Sequence, residues 1–380
     1  MSVSNFEHEY LFVLGNGASI ASADPELDNY LEFKPSIENY IPILEKLSEQ
    51  EKKSPFGLLD FMEESHLQAL KWLIEKVIEI SGRKRERDIV KLLAILEEDY
   101  ANNWNHQNNL QLQERTDRSA QNLGDISTLE NAIYHFVAAY YTKFEKKYLK
   151  KLWQLVQKDH SPLISLNWDI NFERVIHEKN PTIPMANYYG EYIFNLLPSD
   201  QKNEPYNPLV KILKPHGSLN WLIPTDIKGT YGDLNIESDQ MQSGCQLRVV
   251  DNLPTNFNSE CQCFLIPPVP DKVAVERFSG LFWKIKETVW NVISAKIREY
   301  AINSRILVII GYSFPPEDKH IENLFNCNRF ERIIVFDKCE ATFNRIKEYF
   351  RGAKAEFKKS GFAEIMDWLD VGEGFKPSRS

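Results

Sequence analysis

The chain has 380 residues, 43% hydrophobic, 12% aromatic and 26% charged, a composition that excludes extended disorder and fits one large domain with a substantial insertion, or two domains. A net charge of -9 with a pI near 5.5 argues against sequence-independent binding along nucleic acid, which needs clustered Lys and Arg.

The first element is a short apolar run, Tyr10 to Leu14, that leads straight into Gly15-Asn16-Gly17-Ala18-Ser19. A buried strand followed by two close glycines opens many nucleotide-binding folds: the glycines permit a tight turn and close backbone approach to a pyrophosphate, and the next helix points its N-terminal N–H groups at the anion. The same pattern also ends many buried strands that bind nothing.

From Ser36 to His160 the pattern changes. Apolar residues recur at helical spacing through Leu67, Leu70, Trp72, Leu73, Val77 and Ile78, then Ile89, Leu92, Leu93 and Leu96, then Ile133, Phe136, Val137, Tyr140 and Phe144. This stretch is expected to be a helical subdomain, 36–160, inserted into a discontinuous α/β domain formed by 1–35 and 161–380. The Asn- and Gln-rich segment Ala101 to Asn122 reads as a loop. Basic clusters at Arg83 to Arg87 and Lys143 to Lys151 have acidic neighbours and read as solvated helix faces.

Continuous apolar runs resume at Pro162 to Leu166, Val210 to Leu213, Cys263 to Ile266, Arg305 to Ile310 and Arg332 to Phe336. Without alternation, they suit parallel strands covered on both faces. Helical patterns starting near Asp318, and after Asp337 through Ile346, Tyr349 and Phe350, separate or follow the last of them. Strands alternating with helices predict a doubly wound, Rossmann-like parallel α/β sheet. A polar insertion from Ile223 to Cys261 reads as a hairpin or irregular flap, and Gly372 to Ser380 is expected to fray.

Polar residues stand at the ends of these runs, where open α/β sheets place ligands. After the second comes Ser165-Leu166-Asn167-Trp168-Asp169-Ile170-Asn171-Phe172-Glu173. Asp169 fits a helix cap or a site carboxylate; a cap leaves Asn167 unexplained. After the third comes Lys214-Pro215-His216-Gly217-Ser218-Leu219-Asn220. His216 is either a structural turn histidine or a group that moves protons near neutrality. Gly311-Tyr312-Ser313-Phe314 follows the run ending at Ile310, and Asp337 ends the run at Phe336. Asp337 suits ribose hydroxyls or the cap of the next helix equally.

Taken in order, Gly15 to Ser19, Ser165 to Asp169, His216 to Ser218 and Gly311 to Phe314 resemble the sirtuin superfamily, and more narrowly the bacterial sirtuin-like proteins of antiphage defence. Those include Thoeris effectors, partners of short Argonautes and, most similar in layout, the sirtuin-like partner of a HerA-type ATPase. The resemblance covers the α/β part and not the helical insertion. Two departures stand out. The four-cysteine zinc module usual in protein deacylases is missing, since Cys245, Cys261, Cys263, Cys327 and Cys339 are irregularly spaced; and Asn16 replaces the Ala or Gly frequent in the family.

The resemblance implies NAD as substrate, cleaved at its nicotinamide–ribose bond, with depletion of the cofactor as the defence. It places Gly15, Asn16, Gly17, Ala18, Ser19, Gly311, Ser313, Phe314 and Asp337 at the dinucleotide, and Asn167, His216 and Asp169 at the scissile bond. No metal is implied. A homo-oligomer and a HerA-type ATPase partner are further implications; the helical insertion is the expected assembly surface, because amphipathic helices can bury apolar stripes between protomers. The alternatives are an NAD-dependent protein deacylase and a non-catalytic sensor of NAD or ADP-ribose. Few cysteines, no bilayer-spanning apolar run and no basic-then-apolar leader lead to the expectation of a cytoplasmic chain without membrane or direct nucleic-acid contact.

Overall fold

The computed structural model describes residues 6–15, 18, 40–51, 64–89, 91–93, 95–96, 99, 112–141, 146–189, 211–224, 247–253, 261–266, 281–315, 318–326 and 330–359. Its centre is strand β1, His8–Leu14, whose last five residues are all buried. Such a strand needs cover on both faces and pairing on both edges. It finds the pairing in β2, Leu163–Ser165, on one side and β7, Ser304–Ile310, on the other, both parallel. Beyond β2 lies β3, Ile212–Leu213. Beyond β7 lie β8, Arg332–Phe336, and β9, Lys354–Lys358.

The resulting six-stranded sheet is parallel throughout, in the order β3-β2-β1-β7-β8-β9, and helices flank it. The Rossmann-like α/β class expected from the sequence is what the chain forms. Counting only these strands, the chain lays down three in one direction from β1, returns, and lays down three in the other. The reversal falls between β1 and β7, and open α/β sheets place their ligands there, outside the carboxyl ends of the strands. Strand β9 has no apolar run to announce it. It is an edge strand, and Glu356 on it takes a bidentate pair of hydrogen bonds from Arg332 on β8, at 2.8 and 2.6 Å. Charge on an exposed edge discourages pairing with another chain.

Cys261–Leu265 (β6) does not join the parallel sheet as its apolar character suggested. It pairs antiparallel with β4, Gly217–Pro224, which pairs in turn with the short β5, Arg248–Val249. A buried strand in a small sheet covered by a helix carries the same continuous apolar run as a parallel one, so periodicity could not separate them. Of the polar insertion, the described residues include the end of β4, the strand β5 and the first residue of β6.

Between β1 and β2 the chain forms helices α1 (Tyr40–Glu51), α2 (Glu64–Lys84), α3 (Leu112–Tyr141) and α4 (Lys146–Lys158). On α2 the buried stripe is Leu70, Leu73, Ile74, Val77 and Ile80, whereas Trp72 is 67% exposed with Lys76 over its ring. Trp72 therefore lies off the stripe that the sequence reading gave it. Tyr40 ties α1 to α3, its hydroxyl donating to the Ala132 carbonyl at 2.7 Å and its ring packing on Phe136. The basic cluster at the end of α2 finds acidic partners: Arg83 pairs with Asp125, Lys84 with Asp99 and Arg87 with Glu45.

Residues 112–122, read as part of a loop, are the first turns of α3; residues 101–111 of that segment lie outside the described residues. Gln113, Glu114, Arg115 and Arg118 are polar but intrinsically good helix formers, and polarity alone does not disfavour a helix. The buried side chains of these helices and of the sheet form one continuous cluster. After β7 come α7 (Lys319–Leu324) and α8 (Glu340–Tyr349), while α5 (Asn171–Lys179) follows β2 and α6 (Leu281–Asn303) precedes β7. No described helix is long and apolar enough to cross a membrane.

Candidate functional site

Gly15 leaves β1 at the reversal point. Its N–H donates to the Ile310 carbonyl of β7, and its own carbonyl accepts the Ala18 N–H, both at 2.9 Å. The Asn167 side chain, at the end of β2, donates to that same carbonyl at 3.0 Å. The glycine turn and the β2 terminus are thus joined through one oxygen. A Cβ on Gly15 would stand 2.5 Å from the Gly311 carbonyl oxygen and 2.5 Å from the Tyr312 Cβ. Close crossing of the β1 and β7 ends therefore demands the glycine, whatever binds there. Ala18 is buried; Asn16, Gly17 and Ser19 lie outside the described residues.

The next two residues lock neighbouring segments. Trp168 donates its indole N–H to the His216 carbonyl at 2.9 Å, and its carbonyl accepts the Leu219 N–H at 3.0 Å. Asp169 accepts the Asn171 N–H on Oδ1 at 3.0 Å, holding the start of α5. This is the capping role the sequence allowed, displaced one residue, since Ile170 occupies the cap position itself. The backbone carbonyl of Asp169 accepts from Lys214, so the β2 and β3 ends are held together here too.

Lys214 and Glu173 are 0% and 1% exposed and pair at 2.9 Å. Around them the Tyr189 hydroxyl reaches Glu173 at 3.1 Å and the Asn220 side-chain oxygen at 2.8 Å, and Ser218 donates to that oxygen at 2.8 Å. Burial first, then the Glu173 carboxylate, pushes the Tyr189 hydroxyl well above its ordinary pKa, so it remains a donor. Lys214, Ser218 and Asn220, which flank the histidine in sequence, are thus the frame beneath it.

His216 lies in the turn between β3 and β4, buried, not at a free strand end. Gly217 follows it with φ +78°, and a Cβ there would meet the Phe264 carbonyl oxygen at 2.2 Å. The glycine answers to backbone conformation and to β6, not to room for a ligand. Nε2 of His216 stands 3.4 Å from Oδ1 of Asp318, at the start of α7. Oδ2 of Asp318 accepts the Tyr312 hydroxyl at 3.1 Å. Burial, then the Asp318 carboxylate, holds that hydroxyl well above its ordinary pKa and keeps it a donor. His320, the second residue of α7, has its ring edge to face with that of His216, centroids 5.7 Å apart.

Asp318 and His320 were missed as site residues: the sequence marked Asp318 only as a helix start. Their chemistry was visible as Asp-x-His, but nothing local shows that a turn some hundred residues earlier would face them.

The other expected residues divide. Gly311, with φ +61°, makes the turn after β7 beside Gly15. Ser313 is half-buried next to it. Phe314 is buried among Tyr312, Phe325, Tyr349 and Phe350, with ring centroids 4.6 to 6.2 Å away, so its ring is core packing. Its φ of +49° is unusual for a bulky residue, and its carbonyl is held by Arg345 at 3.1 Å. Asp337 sits at the tip of β8, one strand beyond β7, and accepts the Cys339 N–H at 2.7 Å. Of its two sequence readings, this is a carboxylate steadying the entry to α8.

The structure thus brings together Gly15, Asn167, Gly311 and the turn bearing His216, through Trp168 on one side and Tyr312 and Asp318 on the other. It leaves Phe314 in the core and Asp337 on a separate strand tip. No protein-family model matches the chain, and no curated protein is significantly similar to it.

Proposed function

We propose that this chain is a sirtuin-like NAD glycohydrolase that acts in antiphage defence by depleting NAD. The observation that carries the reading is the position of Asn167 and His216. An amide and an imidazole stand on neighbouring segments at the reversal point of a sheet in the strand order that dinucleotide-binding domains use.

In this reading NAD lies across the carboxyl ends of the strands with its pyrophosphate toward the turn after Gly15. Nicotinamide is cationic before cleavage, so it leaves without an acid. The bond from the anomeric carbon to the ring nitrogen breaks with its electron pair going to nicotinamide. A water oxygen bonds to the anomeric carbon, and His216 takes the water's proton. The products are nicotinamide, ADP-ribose and that proton. Asp318, 3.4 Å from the imidazole, is a positioning residue that steadies the imidazolium as it forms. Its second oxygen, held by Tyr312, fixes the carboxylate's orientation. Asn167 orients the water or a ribose hydroxyl from a side chain already anchored on Gly15, and such prior orientation lowers the barrier. Asp169 holds the entry to α5 and so the loop that carries Asn167.

An unregulated NAD hydrolase is toxic, so activity is expected to depend on assembly: a homo-oligomer, with a HerA-type ATPase as partner, in the cytoplasm. The test incubates purified protein with NAD, alone and with the product of the neighbouring gene, and follows nicotinamide and ADP-ribose by chromatography. Asn167→Ala and His216→Ala are each expected to cut turnover by ~10²–10⁴ with the circular dichroism spectrum unchanged. Normal turnover in both variants refutes the assigned roles. Nicotinamide release only with an acylated peptide means a deacylase; stabilisation by NAD with no product means a sensor.

A further inference from the structure

We propose that His216, Asp318 and His320 form a binding site for one divalent transition-metal ion of the zinc type. One ligand atom from each of the three lies within 4.8 Å of the other two. Nε2 of His216 is 3.4 Å and Nε2 of His320 3.9 Å from the same carboxylate oxygen, Oδ1 of Asp318. Zinc holds imidazole nitrogen and carboxylate oxygen at ~2.0–2.2 Å in a tetrahedron, whose ligand-to-ligand edges are then about 3.3 Å. The His216–Asp318 edge is already close to that length. The other carboxylate edge closes by about half an ångström, a displacement that a small rotation of the His320 ring supplies.

The donor set selects the ion. Two imidazoles and one carboxylate suit Zn²⁺, Co²⁺ or Ni²⁺, whereas Ca²⁺ and Mg²⁺ require oxygen ligands. Three protein ligands leave a fourth position for water, unlike the four protein ligands of a purely structural zinc site. The surroundings orient the ligands as outer partners at metal sites do. The Tyr312 hydroxyl takes Oδ2 of Asp318 and so turns Oδ1 toward the imidazoles. Trp290 packs against the His320 ring at 5.0 Å. The Asp318 N–H donates to the Pro315 carbonyl at 2.9 Å and fixes the turn. Asp318 and His320 are two residues apart at the start of one helix, so only the His216 turn has to be brought to them. The bound ion clips the β3–β4 turn to α7.

Metal binding stands apart from the NAD reading. Its consequence rests on that reading: an ion bound to His216 lowers the basicity of the imidazole that would take the water's proton and draws Asp318 away from steadying it, so the loaded protein would be a resting form.

The experiment titrates the full-length protein, stripped with a chelator and then exchanged into chelator-free buffer, with Co²⁺, reading the visible d–d bands of a four-coordinate site, and separately with Zn²⁺, reading the melting temperature. One equivalent of Co²⁺ is expected to saturate the bands, and Zn²⁺ to raise the melting temperature. His320→Ala is expected to weaken Co²⁺ binding by more than about 100-fold, since loss of even an outer partner costs 10–100-fold, and to abolish the Zn²⁺ shift while its circular dichroism stays that of wild type. A wild-type protein with no saturable Co²⁺ bands overturns the site, as does undiminished binding by His320→Ala. Binding by a protein whose metal-stripped form, assayed with its partner, leaves NAD uncleaved refutes the proposed function and leaves the site standing; turnover with no binding does the reverse.

Discussion

Replacing Lys214 by Met tests whether the frame beneath His216 is held by charge. The ammonium is wholly buried, 2.9 Å from the Glu173 carboxylate, and also donates to the Asp169 carbonyl. Methionine nearly matches the side chain in volume, so packing loss is small. What remains is a carboxylate that is 1% exposed without its counter-charge, and breaking a buried pair in that way costs about 3–5 kcal/mol. Against a total stability of about 5–15 kcal/mol that is at least about a fifth of the whole. In urea, with m of about 3 kcal/mol/M, the midpoint should fall by roughly 1–1.7 M. The double variant Lys214→Met/Glu173→Leu removes both charges, and Tyr189 keeps the Asn220 oxygen as its acceptor. It should recover about 2–3 kcal/mol relative to the sum of the single variants, a coupling expected only of groups in direct contact. A Lys214→Met midpoint within about 0.3 M of wild type, or strictly additive effects, would refute the argument.

The Arg332–Glu356 pair gives a pH signature. Hydrogen bonds from Arg332 hold the Glu356 carboxyl below its ordinary pKa, so its stabilisation is complete above the unfolded value of about 4.3 and is lost as pH falls through the folded one. Wild type should therefore lose more stability than Glu356→Gln on acidification below about pH 5, measured by parallel urea titrations; equal losses would count against the pair. For Gly217→Ala, a φ of +78° and a Cβ 2.2 Å from the Phe264 oxygen combine strain with a backbone clash. A loss of more than about 2 kcal/mol is expected, and a neutral result in thermal unfolding would mean that the β4–β6 pairing gives way easily.

The fold was legible because the strands most buried in the sheet carry the longest apolar runs: β1, β7 and β8 are continuous apolar segments, and each is paired on both sides. What escaped sequence reading lacks that signature. Strand β9 is charged, and β6 is apolar but sits in a second sheet. The first turns of α3 are built of polar helix formers that mimic a loop. The site divided in a similar way. Asn167 and His216 were marked because an amide or an imidazole at the end of a buried run has no role in packing, and the structure sets them on neighbouring segments. Phe314 was assigned to a ligand because an aromatic after a glycine turn looks available, whereas α7 and α8 supply the rings that bury it. Asp318, His320 and the Lys214–Glu173 pair are contacts between distant segments, and a single sequence shows the partners without showing the meeting.

Gly15 was marked for a ligand, and the structure gives it a packing reason of its own. The sequence argument takes the glycine as room for a phosphate. In the structure the missing Cβ is room for the Gly311 carbonyl and for Tyr312, each 2.5 Å away, and Tyr312 is the residue that holds Asp318 against His216. A methyl group at position 15 must therefore push the β7 terminus outward, and the displacement passes along Tyr312 to Asp318 and then to the imidazole. Gly15→Ala should destabilise the ligand-free protein by about 1–3 kcal/mol, the usual range for overpacking a close-packed contact, and that loss should appear in unfolding experiments with no nucleotide present. A phosphate-cradle role alone predicts something else: full stability without ligand, and weakened binding only. If Gly15→Ala unfolds at the wild-type midpoint, then the crossing of β1 and β7 is looser than these distances require, and the link from the glycine turn to His216 does not exist.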